Sequence, residues 1–420
     1  MSLPRFRPTL SRTRLDSSLN SASVTGARLV SAGASWLLAI ALARLLGAAG
    51  FGEYIVIVAI VQLVAVIADA GLNRVLIRDV AVDPELAEAY LRTVRRARFG
   101  LSLVGVGVAL AVAQISGNAA GAALVFGAVG LIPLADARTS EGLLYAFGRI
   151  RRAAMLAAAF AIARFVLSFA AATLGFGVIG VLGAQSLAAL FYAVSLRYGA
   201  PVANGSIGGP ALSFRSLFRS SYSFAALAAL EALYSRLDVF IIALVTGSPM
   251  QVGLYSGAYK LYEAATIPSA SISAVQVPAY ARRLARRDPT LRRAVVRAVI
   301  WSLVAGIGVA VVVAPNAQGI LRLVYGPEYE GAAGALSALA LAAIAGFVVY
   351  PIAALLAASH QQRSLLTRSI AQIGLNAVAN VWLVAQFGIT GAGIAMLVTT
   401  ISGVLLYGTL ARRMLNTDTD

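Results

Sequence analysis

Apolar residues run through this chain in long, nearly unbroken stretches, separated by short connectors rich in arginine. Twelve stretches predict helices at roughly 23–46, 53–77, 99–116, 119–144, 153–174, 177–197, 219–246, 251–279, 295–314, 332–358, 365–386 and 389–410. Most reach 18 residues, and a bilayer core about 30 Å thick needs about 20 helical residues to cross it. Strands of an outer-membrane barrel would alternate apolar and polar over segments of about ten residues instead. The pattern predicts an all-α polytopic membrane protein of about 12 transmembrane helices.

Composition strengthens this reading. Of 420 residues, 60% are hydrophobic and 12% charged, more apolar surface than a soluble domain can hide. The formal charge of +17 would suggest nucleic acid in a soluble protein. Here the arginines follow topology. The N-terminal tail, every second connector and the C-terminal tail hold 26 of them, among them Arg5, Arg78, Arg98, Arg151, Arg197, Arg283, Arg363 and Arg412. The other connectors hold only Arg44 and Arg322. Basic residues stay on the cytoplasmic side, so both termini are expected in the cytoplasm, the number of helices is expected to be even, and no nucleic-acid partner is expected. A signal peptide is the rival reading of the basic start, but the apolar run after it is long and no clear cleavage site ends it.

The chain also repeats. Phe176-Gly177-x-x-Gly180-x-x-x-Ala184 returns as Phe387-Gly388-x-x-Gly391-x-x-x-Ala395, 211 residues later. Leu143, Leu144 and Arg151 match Leu355, Leu356 and Arg363 at an offset of 212. Gly47, Gly52 and Tyr54 resemble Gly247, Gly253 and Tyr255. The repetition predicts two parallel six-helix lobes, a plan in which cargo binds between the halves. The expected division is a basic tail (1–22), an N-lobe (23–200), a linker (201–218), a C-lobe (219–413) and a polar tail (414–420).

A charge at the centre of a membrane helix is costly and points to a cavity or a partner. Thr25, Arg28, Ser31 and Ser35 share one face of the first helix, although Arg28 is also placed to snorkel. Arg164 sits near the middle of the fifth, too deep for easy snorkelling. Gln372, Asn376 and Asn380 form a stripe in the eleventh, which interhelical hydrogen bonding alone would also explain. Tyr255, Tyr259, Tyr262 and Glu263 share a face of the eighth, with Lys260 able to pair with Glu263. Tyrosines offer sugars a flat apolar face and a hydroxyl, although they also populate membrane interfaces. Expected cargo contacts are thus Arg28, Arg164, Lys260, Tyr255, Tyr259, Tyr262, Asn376 and Asn380. Expected ion-coupling or gating residues are Asp69, Asn73, Arg74, Glu231, Arg236, Asp238 and Glu263; Asp69 with Asn73, or Asn73 and Arg74 with neighbouring helices, can form a polar latch at the cytoplasmic end of the second helix.

No cysteine and one histidine, His360, argue against a metal centre or a nucleophile–histidine pair, and no phosphate-binding loop occurs. No enzyme activity and no cofactor are expected.

Several segments resemble the Wzx-type oligosaccharide flippases of the MATE-like (MOP) exporter superfamily. They are Leu42-Ala43-Arg44-Leu45-Leu46-Gly47, Phe51-Gly52-Glu53-Tyr54, Ala68-Asp69-Ala70-Gly71-Leu72, Arg236-x-Asp238, Val252-Gly253-x-Tyr255, Tyr325-Gly326-Pro327-Glu328-Tyr329 and Gly388-x-x-Gly391-Ala392. The resemblance covers essentially the whole chain in order. It implies a V-shaped bundle of two lobes in the cytoplasmic membrane, moving a polyprenyl-pyrophosphate-linked oligosaccharide by alternating access. It further implies cavity arginines on the pyrophosphate, membrane lipids around the protein, and glycosyltransferases or a polymerase as pathway partners. Drug-exporting relatives favour acidic cavities, and Glu231 and Asp238 keep a cation-coupled multidrug antiporter open. A glycan-assembly enzyme or scaffold is the remote alternative.

Overall fold

A computed structural model describes residues 14–116, 119–199, 214–359 and 362–417. The tail before Arg14, residue 200, residues 201–213 of the expected linker, His360 and the last three residues lie outside the described residues.

Helices account for nearly all of it: α1 (Arg14–Asp69), α2 (Leu72–Val82), α3 (Ala87–Ser116), α4 (Ala119–Val129), α5 (Leu131–Ala146), α6 (Ile150–Thr173), α7 (Gly177–Gly199), α8 (Phe214–Thr246), α9 (Pro249–Ala285), α10 (Thr290–Val313), α11 (Ala317–Tyr325), α12 (Ala333–Ala358) and α13 (Gln362–Thr417). Two 3₁₀ turns, Pro84–Leu86 and Pro327–Ala332, join some of them. With no water in a bilayer to satisfy open backbone groups, helices are the form these apolar segments must take.

Both α1 and α13 contain 56 residues, about 84 Å at 1.5 Å each, far more than one crossing. Each breaks at a single glycine, Gly47 (φ 69°, ψ 175°) and Gly388 (φ 57°, ψ −141°), a conformation that a side chain would oppose. Each is therefore two spans. Seven segments among the described residues are apolar and long enough to cross a membrane, and these two breaks raise the number of rods to nine. The longer but more charged α3, α8 and α9 supply the remaining three of the twelve.

Local chemistry explains several ends. Ser248 caps α9, its Oγ accepting from the Gln251 N–H at 3.4 Å, and Pro249 occupies the first turn, where its missing N–H costs nothing. Pro268 and Pro278 interrupt the hydrogen bonding inside this 37-residue helix. The second predicted span ends at Asp69 rather than near 77, because Ala70 (φ 46°) and Gly71 (φ 68°) leave the right-handed region. The chain then enters α2, which is amphipathic, with Leu72, Val75, Leu76 and Val80 buried.

The repeat is written in the backbone as well. Gly177 and Gly388, matched by the duplication, adopt φ of 59° and 57°, and Gly47 and Gly247 adopt 69° and 61°.

The chain forms two compact units, Met1–Leu38 with Val64–Ala229, and Ala39–Leu63 with Leu230–Asp420. Their boundaries do not follow chain order, as the expected lobes do, since residues 39–63 group with the C-terminal unit. The reason is visible at one helix crossing in that unit. A Cβ on Gly52 would lie 1.7 Å from the Pro249 carbonyl oxygen, and one on Gly253 1.9 Å from that of Ala48. Two backbones touch there, each through a glycine. The Arg44 Nε donates to the Val324 carbonyl at 2.6 Å and fastens the same segment further along.

The N-terminal unit contains a largely buried charge pair. The Arg98 side chain is 2% exposed and pairs with Asp69; its Nη1 donates to Thr139 Oγ1 at 2.6 Å. Of the residues expected in a cytoplasmic latch, Asp69 serves this interior guanidinium, and Arg74 lies exposed on α2. Removing one partner strands the other charge. Arg98→Ala is expected to destabilise the protein by about 3–5 kcal/mol, whereas the double change Arg98→Met with Asp69→Leu should recover most of the loss. Melting in detergent, followed by intrinsic fluorescence, checks this; equal melting of the single and double variants would disprove the pairing.

Candidate functional site

In the N-terminal unit, α1 carries Arg28, Ser31 and Ser35 along one face. The serine hydroxyls donate back along their own helix, Ser31 Oγ to the Ala27 carbonyl at 2.9 Å and Ser35 Oγ to that of Ser31 at 2.8 Å. Their oxygens remain free to accept. Arg164 Nη2, from α6, donates to Ser35 Oγ at 2.9 Å, and its guanidinium carbon lies 5.9 Å from the centre of the Phe160 ring. Arg164 Nε is buried without a hydrogen-bond partner. The residue stands about 21 Å along α6 from its start, and Ser35 about 10 Å along α1 from Arg28. The guanidinium of Arg28 reaches toward the Tyr145 hydroxyl, which donates to Glu141 Oε1 at 3.2 Å. Among the described residues, neither Arg28 nor Arg164 forms an ion pair with a carboxylate. Cations within membrane helices normally find a counter-charge or a water-filled cavity.

The C-terminal unit is built around Asp238 on α8. Its Oδ2 accepts from the Tyr255 hydroxyl at 2.6 Å and its Oδ1 from Asn380 Nδ2 at 3.0 Å. Asn380 Nδ2 also faces Asn376 Oδ1 at 3.1 Å, and Asn376 Nδ2 donates to Thr399 Oγ1 at 3.1 Å. Thr399 donates in turn to the Ala395 carbonyl at 2.7 Å. Asn376, Asn380 and Thr399 are buried, and Asn380 Oδ1 has no partner. Asp238 is thus the one carboxylate at the end of a chain of neutral amides and hydroxyls drawn from α9 and α13.

Beside this network, Ser235, Arg236, Asp238, Tyr255, Tyr259 and Lys260 line a shallow pocket. Lys260 Nζ lies 2.5 Å from Glu263 Oε2, and Arg236 Nε donates to Gln62 Oε1 at 3.0 Å. The Tyr255 and Tyr259 rings stack at 6.0 Å, and Tyr259 meets Tyr262 at 5.7 Å.

The structure places the expected residues in differing surroundings. Tyr255, Asn376 and Asn380, expected as cargo contacts, are buried and hold Asp238 or one another. Tyr262 is buried too, its hydroxyl 3.1 Å from where a Cβ on Gly346 would be. Tyr259 and Lys260 remain partly accessible, and Lys260 carries its counter-charge with it. Glu231 is exposed on α8, away from the Asp238 hydrogen bonds. Asn73 packs against Gly142, where an added Cβ would lie 2.4 Å from its Oδ1. The residues missed from sequence are Thr399, which reads as an ordinary helical threonine in an apolar run, and Arg98, counted only as a topological charge. The Thr399-Thr400 pair was the one available signal for the former.

Comparison with known proteins adds the lineage. A family described as "Polysaccharide biosynthesis protein" matches residues 41–334. No curated protein matches the sequence. Among solved structures, the lipid II flippase MurJ in an inward closed conformation superposes with a TM-score of 0.75 at 12% identity, over 94% of this chain and 87% of that one. An inward-facing multidrug resistance MATE family transporter of the MOP superfamily gives 0.71 at 17% identity, over 91% and 94%. A MOP superfamily transporter from Pyrococcus furiosus gives 0.54 at 14% identity, over 96% and 94%. At these identities the likeness establishes the fold, a MATE-like helical bundle.

Proposed function

Because the chain belongs to the polysaccharide biosynthesis protein family, we propose that this multi-pass membrane protein is a flippase that moves a polyprenyl-pyrophosphate-linked oligosaccharide across the cytoplasmic membrane by alternating access. The observation that carries the reading is the pair of arginines, Arg28 on α1 and Arg164 on α6, in apolar helices of membrane-spanning length and without a carboxylate partner among the described residues. Two uncompensated guanidiniums call for an anion, and a pyrophosphate offers several oxygens to their planar forks. Tyr259 and Lys260 are the sugar- and phosphate-facing candidates of the C-terminal unit, with Lys260 required to release Glu263 first. The Asp238 cluster supports coupling to a proton or small cation. The MOP superfamily also contains multidrug transporters, but here Asp238 is held by two donors and Glu263 by Lys260, which leaves the exposed Glu231 as the acidic group of that reading. The two held carboxylates favour anionic over cationic cargo.

In cells lacking the protein, the lipid-linked oligosaccharide is expected to accumulate on the cytoplasmic leaflet. Wild-type protein should relieve the accumulation, and the Arg28→Ala/Arg164→Ala double variant, present at equal level in the membrane, should not. Purified double variant should bind the pyrophosphate lipid at least about tenfold more weakly, since each charge-assisted contact is worth about 1.5–3 kcal/mol. Full relief by the variant, or efflux of a cationic dye with no effect on the lipid-linked glycan, would refute the assignment.

A further inference from the structure

One cleft of the N-terminal unit stands apart from the arginine pair. It measures about 390 Å³, opens between α3, α5 and α7, and includes neither Arg28 nor Arg164. Four arginines line it, Arg95, Arg96, Arg98 and Arg197, against one carboxylate, Asp136. Asp136 organises them. Arg197 Nε donates to Oδ2 at 2.7 Å, and Arg95 Nε lies 2.7 Å from Oδ1, too misaligned for a hydrogen bond. Arg95 Nη2 donates to Ser140 Oγ at 3.0 Å. Arg98 is neutralised from behind by Asp69. Two positive charges remain uncompensated. They are most available on Arg197, whose side chain is 60% exposed, and on Arg96, which is exposed and in no ion pair among the described residues.

The remaining wall is apolar. Phe99, Leu190 and Val194 line it and are 53%, 49% and 42% exposed, along the same faces of α3 and α7. A water-soluble anion would satisfy the arginines and leave this wall uncovered. A molecule with an anionic head and hydrocarbon tails satisfies both.

We propose that this cleft holds the headgroup of an anionic phospholipid of the surrounding bilayer, its phosphodiester on Arg96 and Arg197 and its acyl chains along Phe99, Leu190 and Val194. The site requires only that these helices lie in a membrane, so it stands or falls separately from the cargo assignment. Basic pockets between membrane helices bind such headgroups because each arginine near the surface adds about 1 kcal/mol of attraction. The planar guanidinium forks suit phosphate oxygens better than ammonium groups would.

The test is native mass spectrometry of the purified full chain, delipidated and then exposed to phosphatidylglycerol or to phosphatidylcholine with the same acyl chains. Wild-type protein is expected to retain phosphatidylglycerol preferentially. Arg96→Gln should weaken retention about fivefold and Arg96→Gln/Arg197→Gln about thirtyfold. Arg96 takes part in no ion pair among the described residues, so the single variant remains informative if the double one fails to fold. Equal retention of phosphatidylcholine, unchanged retention by the variants, or displacement of the lipid by inorganic phosphate would each overturn the proposal.

Discussion

An Asp238→Asn protein is expected to reach the membrane at normal level, to lose transport roughly tenfold or more, and to lose whatever dependence on proton or sodium gradient the wild type shows. The magnitude is that of a coupling energy of about 1–3 kcal/mol between ion and cargo. Asparagine keeps the shape of the side chain and removes its charge. Its amide oxygen can still accept from Tyr255, now held by Asp238 at 2.6 Å. In that orientation its amide nitrogen would face Asn380 Nδ2, which is also bound to Asn376 Oδ1 at 3.1 Å; turned over, the amide instead accepts from Asn380 Nδ2 and donates to the Tyr255 hydroxyl oxygen, which can accept as well as donate. The hydrogen bonds are largely recoverable, so melting in detergent should shift by only a few degrees. Stability and transport therefore separate in this variant. Asp238→Ala would not separate them, because it strands the Tyr255 and Asn380 donors at about 1–3 kcal/mol each. Transport measured in proteoliposomes, with and without an imposed gradient, decides the matter. Wild-type rate and wild-type ion dependence in Asp238→Asn would remove Asp238 from coupling.

Gly253→Ala and Gly52→Ala are expected to be the most destabilising single-methyl changes in the C-terminal unit. The added Cβ would lie 1.9 Å and 1.7 Å respectively from a backbone carbonyl oxygen, and backbone cannot swing aside as a side chain can. The two helices must separate, and the contacts around the crossing go with them. Overpacking typically costs about 1–3 kcal/mol, and these contacts belong at or above its upper end. The double variant should cost clearly less than the two singles together, since the first methyl already opens the gap the second needs. Gly308→Ala and Gly374→Ala, where an added Cβ meets nothing within 4 Å, serve as controls and should be neutral or slightly stabilising. Size-exclusion profiles after graded heating compare the five proteins. Indistinguishable profiles for Gly253→Ala and the controls would show that the helices do not touch there.

The spans were legible because about 20 apolar residues in a row have few alternatives to a membrane helix. The duplication was legible because its glycines are required by the backbone: Gly177 and Gly388 share a positive φ that few other residues would tolerate. Depth alone drew attention to Arg164, Asp238, Asn376 and Asn380. It could not say which of these point into the protein's own interior, since burial depends on neighbours hundreds of residues away. Asn380 meets Asp238 across 142 positions, and nothing local to either encodes the pairing. Charge counting had the same blind spot. It grouped Arg98 with its neighbours as a topological marker, although Arg98 is buried against Asp69 and Thr139. The early end of the second span escaped notice because alanine at position 70 gives no hint of a positive φ. The match between Gly52 and Gly253 was visible as repetition, and repetition does not reveal that the repeated residues face each other.

That crossing also sets an order of events during synthesis. The helix carrying Gly52 leaves the ribosome about 200 residues before Gly253 does, a delay on the order of 10–40 s at ordinary rates of elongation. Throughout that interval the flat glycine face must wait in the bilayer without its partner. A chaperone or insertase that shelters a newborn helix has a long task here, and a pause in translation between the two segments would lengthen it.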